Sequence, residues 1–152
     1  MRIVLEASGI RKSYIDGKSK LLVLNKLELK VYESEIIIIK GPSGSGKTSL
    51  LNVLNTLDEP DDGIIKINEK IIDYKDNNTL DEIRSTNIGI LYQDSNLLEE
   101  FSSLENLQMP FSLRKKVEHH NPIELMKKFN LENKLNNFPS ELSGGERQRI
   151  AL

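Results

Sequence analysis

The 152-residue sequence contains no cysteine. That excludes a disulfide framework, a thiol nucleophile and a cysteine-ligated zinc site, and it fits a reducing cytosol. No apolar run approaches the length of about 18 residues that a membrane-spanning helix requires. There is no charge of one dominant sign. The 21 basic and 23 acidic residues leave a formal net charge of −2, which argues against a basic nucleic-acid arm or a strongly basic membrane-surface protein. Internal repeats and low-complexity tracts are also missing. The opening MRIVLEASGI makes a poor signal peptide, because Glu6 interrupts its short apolar run. What is there is a globular composition, 38% hydrophobic and 29% charged. It is enough for one core and excludes a collagen-like or wholly disordered chain. The length fits one domain, or one domain and a fragment.

The first third reads as β structure. Leu27, Leu29 and Val31 alternate with Lys26, Glu28 and Lys30, and Ile3, Leu5 and Ala7 alternate less cleanly. Asp16-Gly17 between the two runs is a hairpin signal, so residues 2–14 and 20–31 are expected to pair antiparallel. Four consecutive isoleucines, Ile36 to Ile39, read as a strand buried on both faces. Leu50, Leu51, Val53, Leu54 and Leu57 follow at helical spacing. Ile64, Ile65 and Ile67, then Ile71 and Ile72, predict two short strands around Asn68-Glu69, and residues 88–92 predict another buried strand ending at Gln93. Three capping boxes, Thr79 with Glu82, Ser102 with Glu105 and Ser143 with Glu146, predict helix starts. Pro110 is expected to kink or break the second of those helices. Asn121-Pro122 predicts a helix over 122–130.

Between the isoleucine run and the apolar helix lies Gly41-Pro42-Ser43-Gly44-Ser45-Gly46-Lys47-Thr48, which matches the P-loop pattern. Polyphosphate oxygens must be approached by several backbone N–H groups at once. Glycines at 41, 44 and 46 allow the required dihedrals and keep side chains out of the way. The helix that follows turns its positive end toward the phosphates. Lys47 is expected to reach the β- and γ-phosphates, and the Thr48 hydroxyl to ligate Mg²⁺. A second cluster, Leu142-Ser143-Gly144-Gly145-Glu146, places a hydroxyl and two glycines at a helix start. It reads either as a simple cap or as a second phosphate site.

Together the clusters resemble the nucleotide-binding domain of ABC ATPases, most closely the lipoprotein-release and macrolide-export branch. Leu142 to Arg149 is similar to the LSGGQ signature, Gln93 to the Q-loop and Tyr14 to the A-loop aromatic, in the family's order. The resemblance implies an α/β P-loop NTPase fold: an antiparallel β region over 1–34 and 58–75, a P-loop core over 35–57 and 86–93, and a helical region over 94–152. It also implies that the 152 residues are the amino-terminal part of a longer protein, ending before the Walker B strand.

The same resemblance implies that ATP and Mg²⁺ are the cofactors. Tyr14 would stack on adenine. Residues Gly41, Pro42, Ser43, Gly44, Ser45, Gly46, Lys47, Thr48 and Ser49 would hold the phosphates. Lys47 and Gln93 would serve hydrolysis, with Thr48 and Gln93 at the metal. Ser143, Gly144 and Gly145 would meet the γ-phosphate bound to a second subunit in a head-to-tail dimer. The implied function is the ATP-binding subunit of a transporter, for export or release, held at the cytoplasmic face of the membrane through an integral permease, with no nucleic-acid partner. The family's Walker B Asp, catalytic Glu and switch His follow its signature helix, so the 152 residues alone are expected not to hydrolyse ATP. The alternatives are a nucleotide-binding remnant without catalysis and a soluble ABC-type ATPase outside transport. A DNA-acting relative is disfavoured, because Gln93 and Ser143 are only 50 positions apart with no sustained heptads between them. Glu146 stands where the signature commonly has Gln, Thr48-Ser49 reverses a frequent order, and Lys40 is an unusual neighbour of the loop. His119 and His120 read as surface residues in a polar linker.

Overall fold

The computed structural model describes residues 1–17, 19–113 and 121–152. His119 and His120 lie outside the described residues. Two compact units are formed, Met1–Gly89 and Ile90–Leu152. No helix among the described residues is long and apolar enough to cross a membrane.

The first unit is built on a four-stranded antiparallel sheet in the order β2-β1-β3-β4. Strands β1 (Ile3–Asp16) and β2 (Ser19–Tyr32) form the expected hairpin, slightly longer than the polarity pattern alone indicates. Strands β3 (Asp62–Ile67) and β4 (Lys70–Ile71) are joined by Asn68-Glu69, both with positive φ, as a tight hairpin turn requires. Helices α1 (Lys47–Leu54) and α2 (Asn77–Asn87) complete the unit. Ala7, Ile10, Leu24, Ile65 and Ile67 from the sheet pack with Leu50, Val53 and Leu54 of α1 and with Leu80 and Ile83 of α2. That core fixes the helix that begins at the glycine-rich loop against the sheet.

Several sequence expectations are corrected here. Residues 35–40 and 88–92 form no strand. A strand needs a neighbouring ladder for its N–H and C=O groups, and the four-stranded sheet does not extend to either segment. Ile36 and Ile38 are accordingly 90% and 71% exposed, not buried. Ile39 of the first segment and Ile88 of the second pack against the core. Helix α2 begins before Thr79 because Asp76 is its cap, with Asp76 Oδ1 accepting from Thr79 N at 3.2 Å.

The second unit contains α3 (Ser103–Leu113), α4 (Pro122–Lys128) and α5 (Gly144–Ala151), with short 3₁₀ turns at Glu132–Lys134 and Pro139–Glu141. Met126, Leu131, Leu142 and Ile150 form its core. The Ser102/Glu105 box is present, with Glu105 Oε2 accepting from Ser102 N at 2.8 Å and Ser102 Oγ accepting from Glu105 N at 3.3 Å. Pro110 does not break α3, which runs on to Leu113. An interior proline costs the ladder one N–H and crowds the carbonyl four residues back, and here the helix continues for three residues beyond it. Asn121 caps α4 as expected, accepting from Ile123 N at 3.0 Å, but that helix ends at Lys128.

Candidate functional site

The glycine-rich loop is exposed from Gly41 to Ser45. It turns into α1 through Gly46, whose φ of +86° lies in the left-handed region, as does Gly44 at +77°. A Cβ at Gly46 would lie 2.6 Å from Val23 Cγ1 on β2. Both the dihedral and the close approach therefore demand glycine. Leu50 N donates to Gly46 O at 2.8 Å, closing the first turn of α1. That first turn contains no acidic residue, so the free N–H groups and the helix dipole face an anion without competition. Lys47 Nζ folds across the loop and donates to Gly41 O at 2.9 Å and Pro42 O at 2.6 Å. The ammonium is thus held directly over the loop, and Thr48 beside it is exposed. This donor set fits a polyphosphate: exposed amides, one cation and a hydroxyl around a concave turn. No cluster of three or more His, Asp or Glu suited to a metal occurs among the described residues. Magnesium bound with a nucleotide is usually held by the phosphates and few protein oxygens. The Thr48 hydroxyl, exposed beside Lys47, is an oxygen suited to such an ion.

Tyr14 is half-buried near the end of β1 and donates its hydroxyl to Asp58 Oδ2 at 2.7 Å. The Lys12 ammonium lies 5.3 Å from the ring centroid. Lys40 is exposed.

In the second unit Gln93 is exposed and lies in an irregular segment, not at a strand end. Its main-chain carbonyl accepts from Gln148 Nε2 at 2.5 Å, and the carbonyl of Tyr92 accepts from the same amide at 3.2 Å. Gln148 is on α5, which opens at Ser143. Ser143 Oγ accepts from Glu146 N at 3.3 Å, and Glu146 Oε2 accepts from Ser143 N at 2.7 Å. The expected capping box is therefore formed, and Glu146 serves it as Gln would. Donation from the Ser143 N–H and hydroxyl to the carboxylate holds the Glu146 carboxyl below its ordinary range. Gly144 and Gly145 are exposed with negative φ, and a Cβ at Gly144 would meet nothing within 4 Å. The local fold does not require glycine there, so the pair leaves its helix start open to close approach from outside the unit. An open cavity of about 700 Å³ is lined by Gln93, Asp94, Asn96, Gly144, Arg147 and Gln148. It brings the Q-loop-like and signature-like residues of this unit to one depression.

Sequence reading did not anticipate three of these partners. Asp58, Lys12 and Gln148 act across gaps of 44, 46 and 55 residues, and no local spacing signals such pairs.

The chain matches the family model described as ABC transporter over residues 24–152. It is 41% identical over 155 residues to the lipoprotein-releasing system ATP-binding protein LolD of Acinetobacter baylyi, covering 99% of this chain and 68% of that protein. It is 38% identical over 153 residues to LolD of Buchnera aphidicola subsp. Schizaphis graminum, covering 99% of this chain and 67% of that one. Among solved structures it is similar to a dimeric ATP-binding cassette in a post-hydrolysis state bound to ADP and Pi. The TM-score is 0.84 at 32% identity, over 97% of this chain and 66% of that one. The chain spans about two thirds of the length of these relatives. Its antiparallel sheet, P-loop and helices are those of the α/β ATP-binding cassette fold.

Proposed function

The chain belongs to the ABC transporter family, and from that premise we propose that it is the ATP-binding part of a transporter for lipoprotein release or a related export. ATP binding and hydrolysis by the whole protein would drive transport through an integral permease, with this subunit on the cytoplasmic face of the membrane. The observation that carries the reading is the glycine-rich loop: Gly46 at φ +86° opens α1, and Lys47 Nζ spans the loop carbonyls. Gly41 to Ser49 would wrap the phosphates, with Lys47 neutralising their charge and Thr48 offering a hydroxyl to Mg²⁺. Tyr14 would stack on the adenine. Ser143, Gly144 and Gly145 would complete the nucleotide site of a second subunit in a head-to-tail dimer. The open space beside Gly144 supports that role. The similarity to LolD proteins supports lipoprotein release within the family.

The test is calorimetric titration of the full chain with ATP in the presence and absence of Mg²⁺. Binding is expected, tighter with Mg²⁺, and Lys47→Ala is expected to weaken it at least tenfold, the loss of a charge-assisted phosphate contact being worth about 1.5–3 kcal/mol. An unchanged affinity in Lys47→Ala would remove the loop from the nucleotide site.

A further inference from the structure

Asp58 follows α1 and is tied to its end, since the main-chain N–H groups of Leu57 and Asp58 both donate to Asn52 O, at 2.9 and 3.2 Å. Its half-buried carboxylate takes two donors from β1. The Tyr14 hydroxyl donates to Oδ2 at 2.7 Å and the Lys12 ammonium to Oδ1 at 2.5 Å. Lys12 also donates to Glu59 O at 2.6 Å and rests over the Tyr14 ring, 5.3 Å from its centroid. Burial opposes the charge on Asp58, but the hydrogen bonds from Lys12 and Tyr14 outweigh it and keep the carboxyl below its ordinary range. One carboxylate therefore links the helix whose first turn carries Lys47 and Thr48 to the aromatic ring of Tyr14.

We propose that Asp58 is a positioning residue for nucleotide binding, holding the Tyr14 hydroxyl and the Lys12 ammonium so that the ring is set as an adenine platform in fixed relation to the phosphate loop. The inference rests on the reading of Tyr14 as the adenine-stacking residue. An unanchored tyrosine loses rotamer freedom when a base stacks on it, whereas a ring anchored at its hydroxyl has lost that freedom on folding. The ammonium lies over one face of the ring, so a stacking base would take the opposite face.

Adenine and phosphate contributions separate if the full chain is titrated calorimetrically with ATP and, independently, with inorganic tripolyphosphate. Tyr14→Phe keeps the ring and drops the hydroxyl. Asp58→Ala drops the acceptor. Each is expected to weaken ATP binding about three- to tenfold, the range spanned by aromatic stacking energies, and to leave tripolyphosphate binding unchanged. The double variant is expected to bind ATP no more weakly than the worse single variant, because both changes cut the same link. Asp58→Asn, which retains an acceptor for Tyr14, is expected to keep more ATP affinity than Asp58→Ala. Equal losses for ATP and tripolyphosphate would assign Asp58 a merely structural role and overturn the proposal, as would full ATP affinity in Tyr14→Phe and Asp58→Ala. A different result, no preference of the unsubstituted chain for ATP over tripolyphosphate, would overturn the adenine role of Tyr14 and the proposal with it.

Discussion

The side-chain amide of Gln148, on the helix that opens at Ser143, donates to the main-chain carbonyl of Gln93 at 2.5 Å. Because the same amide reaches the carbonyl of Tyr92 at 3.2 Å, two successive peptide units of an otherwise unladdered segment are pinned to α5. The signature-like helix and the backbone that carries Gln93 are thereby hydrogen-bonded to one another.

Removing the pin is expected to loosen that segment. In Gln148→Ala, amide hydrogen exchange over residues 92–97 should accelerate about fivefold, the equivalent of one exposed hydrogen bond at about 1 kcal/mol. Exchange in β1 and β3 should stay as it is. Unaltered protection over 92–97 would show that the segment is held by other means.

Gly46→Ala places a methyl group 2.6 Å from Val23 Cγ1 at a φ of +86°. Strain and overlap together are expected to cost about 2 kcal/mol, read as a lower urea midpoint. Adding Val23→Ala relieves the overlap, so the double variant should lose less stability than the two single changes combined. The backbone strain remains, and ATP binding should stay weakened.

Three helix starts make the chain acid-sensitive. Asp76 accepts from the Thr79 hydroxyl and N–H, Glu105 from the Ser102 hydroxyl and N–H, and Glu146 from the Ser143 N–H and hydroxyl, which lowers all three carboxyl pKa values from 3.8 for the aspartate and 4.5 for the glutamates. Above those ordinary values the charged caps contribute their full stabilisation. As pH falls, the unfolded chain takes up protons first, and the contribution is lost as the pH passes down through the lowered native values. The Tm is expected to hold steady from pH 7 to 5 and to fall below about pH 4.5. Glu146→Ala should lower the Tm at pH 7 and lessen the acid slope. A Tm that rises on acidification would contradict this.

The parts legible in the sequence are those whose physics is local. The P-loop is a run of adjacent residues, and the Ser102/Glu105 and Ser143/Glu146 boxes span three positions, so spacing alone announces them. The hairpin of β1 and β2 shows in the alternation of Leu27, Leu29 and Val31 about a single turn. The isoleucine run at 36–39 was misleading because apolarity reports a tendency to be buried but supplies no ladder partner. Asp76 opens α2 one turn earlier than Thr79 would, its carboxylate accepting from the Thr79 N–H and hydroxyl and so placing Thr79 inside the helix. The links from Tyr14 to Asp58 and from Gln93 to Gln148 join residues 44 and 55 positions apart. They arise only once the sheet has brought β1 to the end of α1, and once the helical unit has closed around Met126 and Ile150.

The most direct test of nucleotide binding at the glycine-rich loop is a titration of the ¹⁵N-labelled chain with MgATP, followed amide by amide. The expected result is a saturable shift of the Ser43 to Thr48 amides, accompanied by Tyr14 and absent in Lys47→Ala. Shifts confined to other segments, or none at saturating MgATP, would contradict the assignment of that loop as the phosphate site.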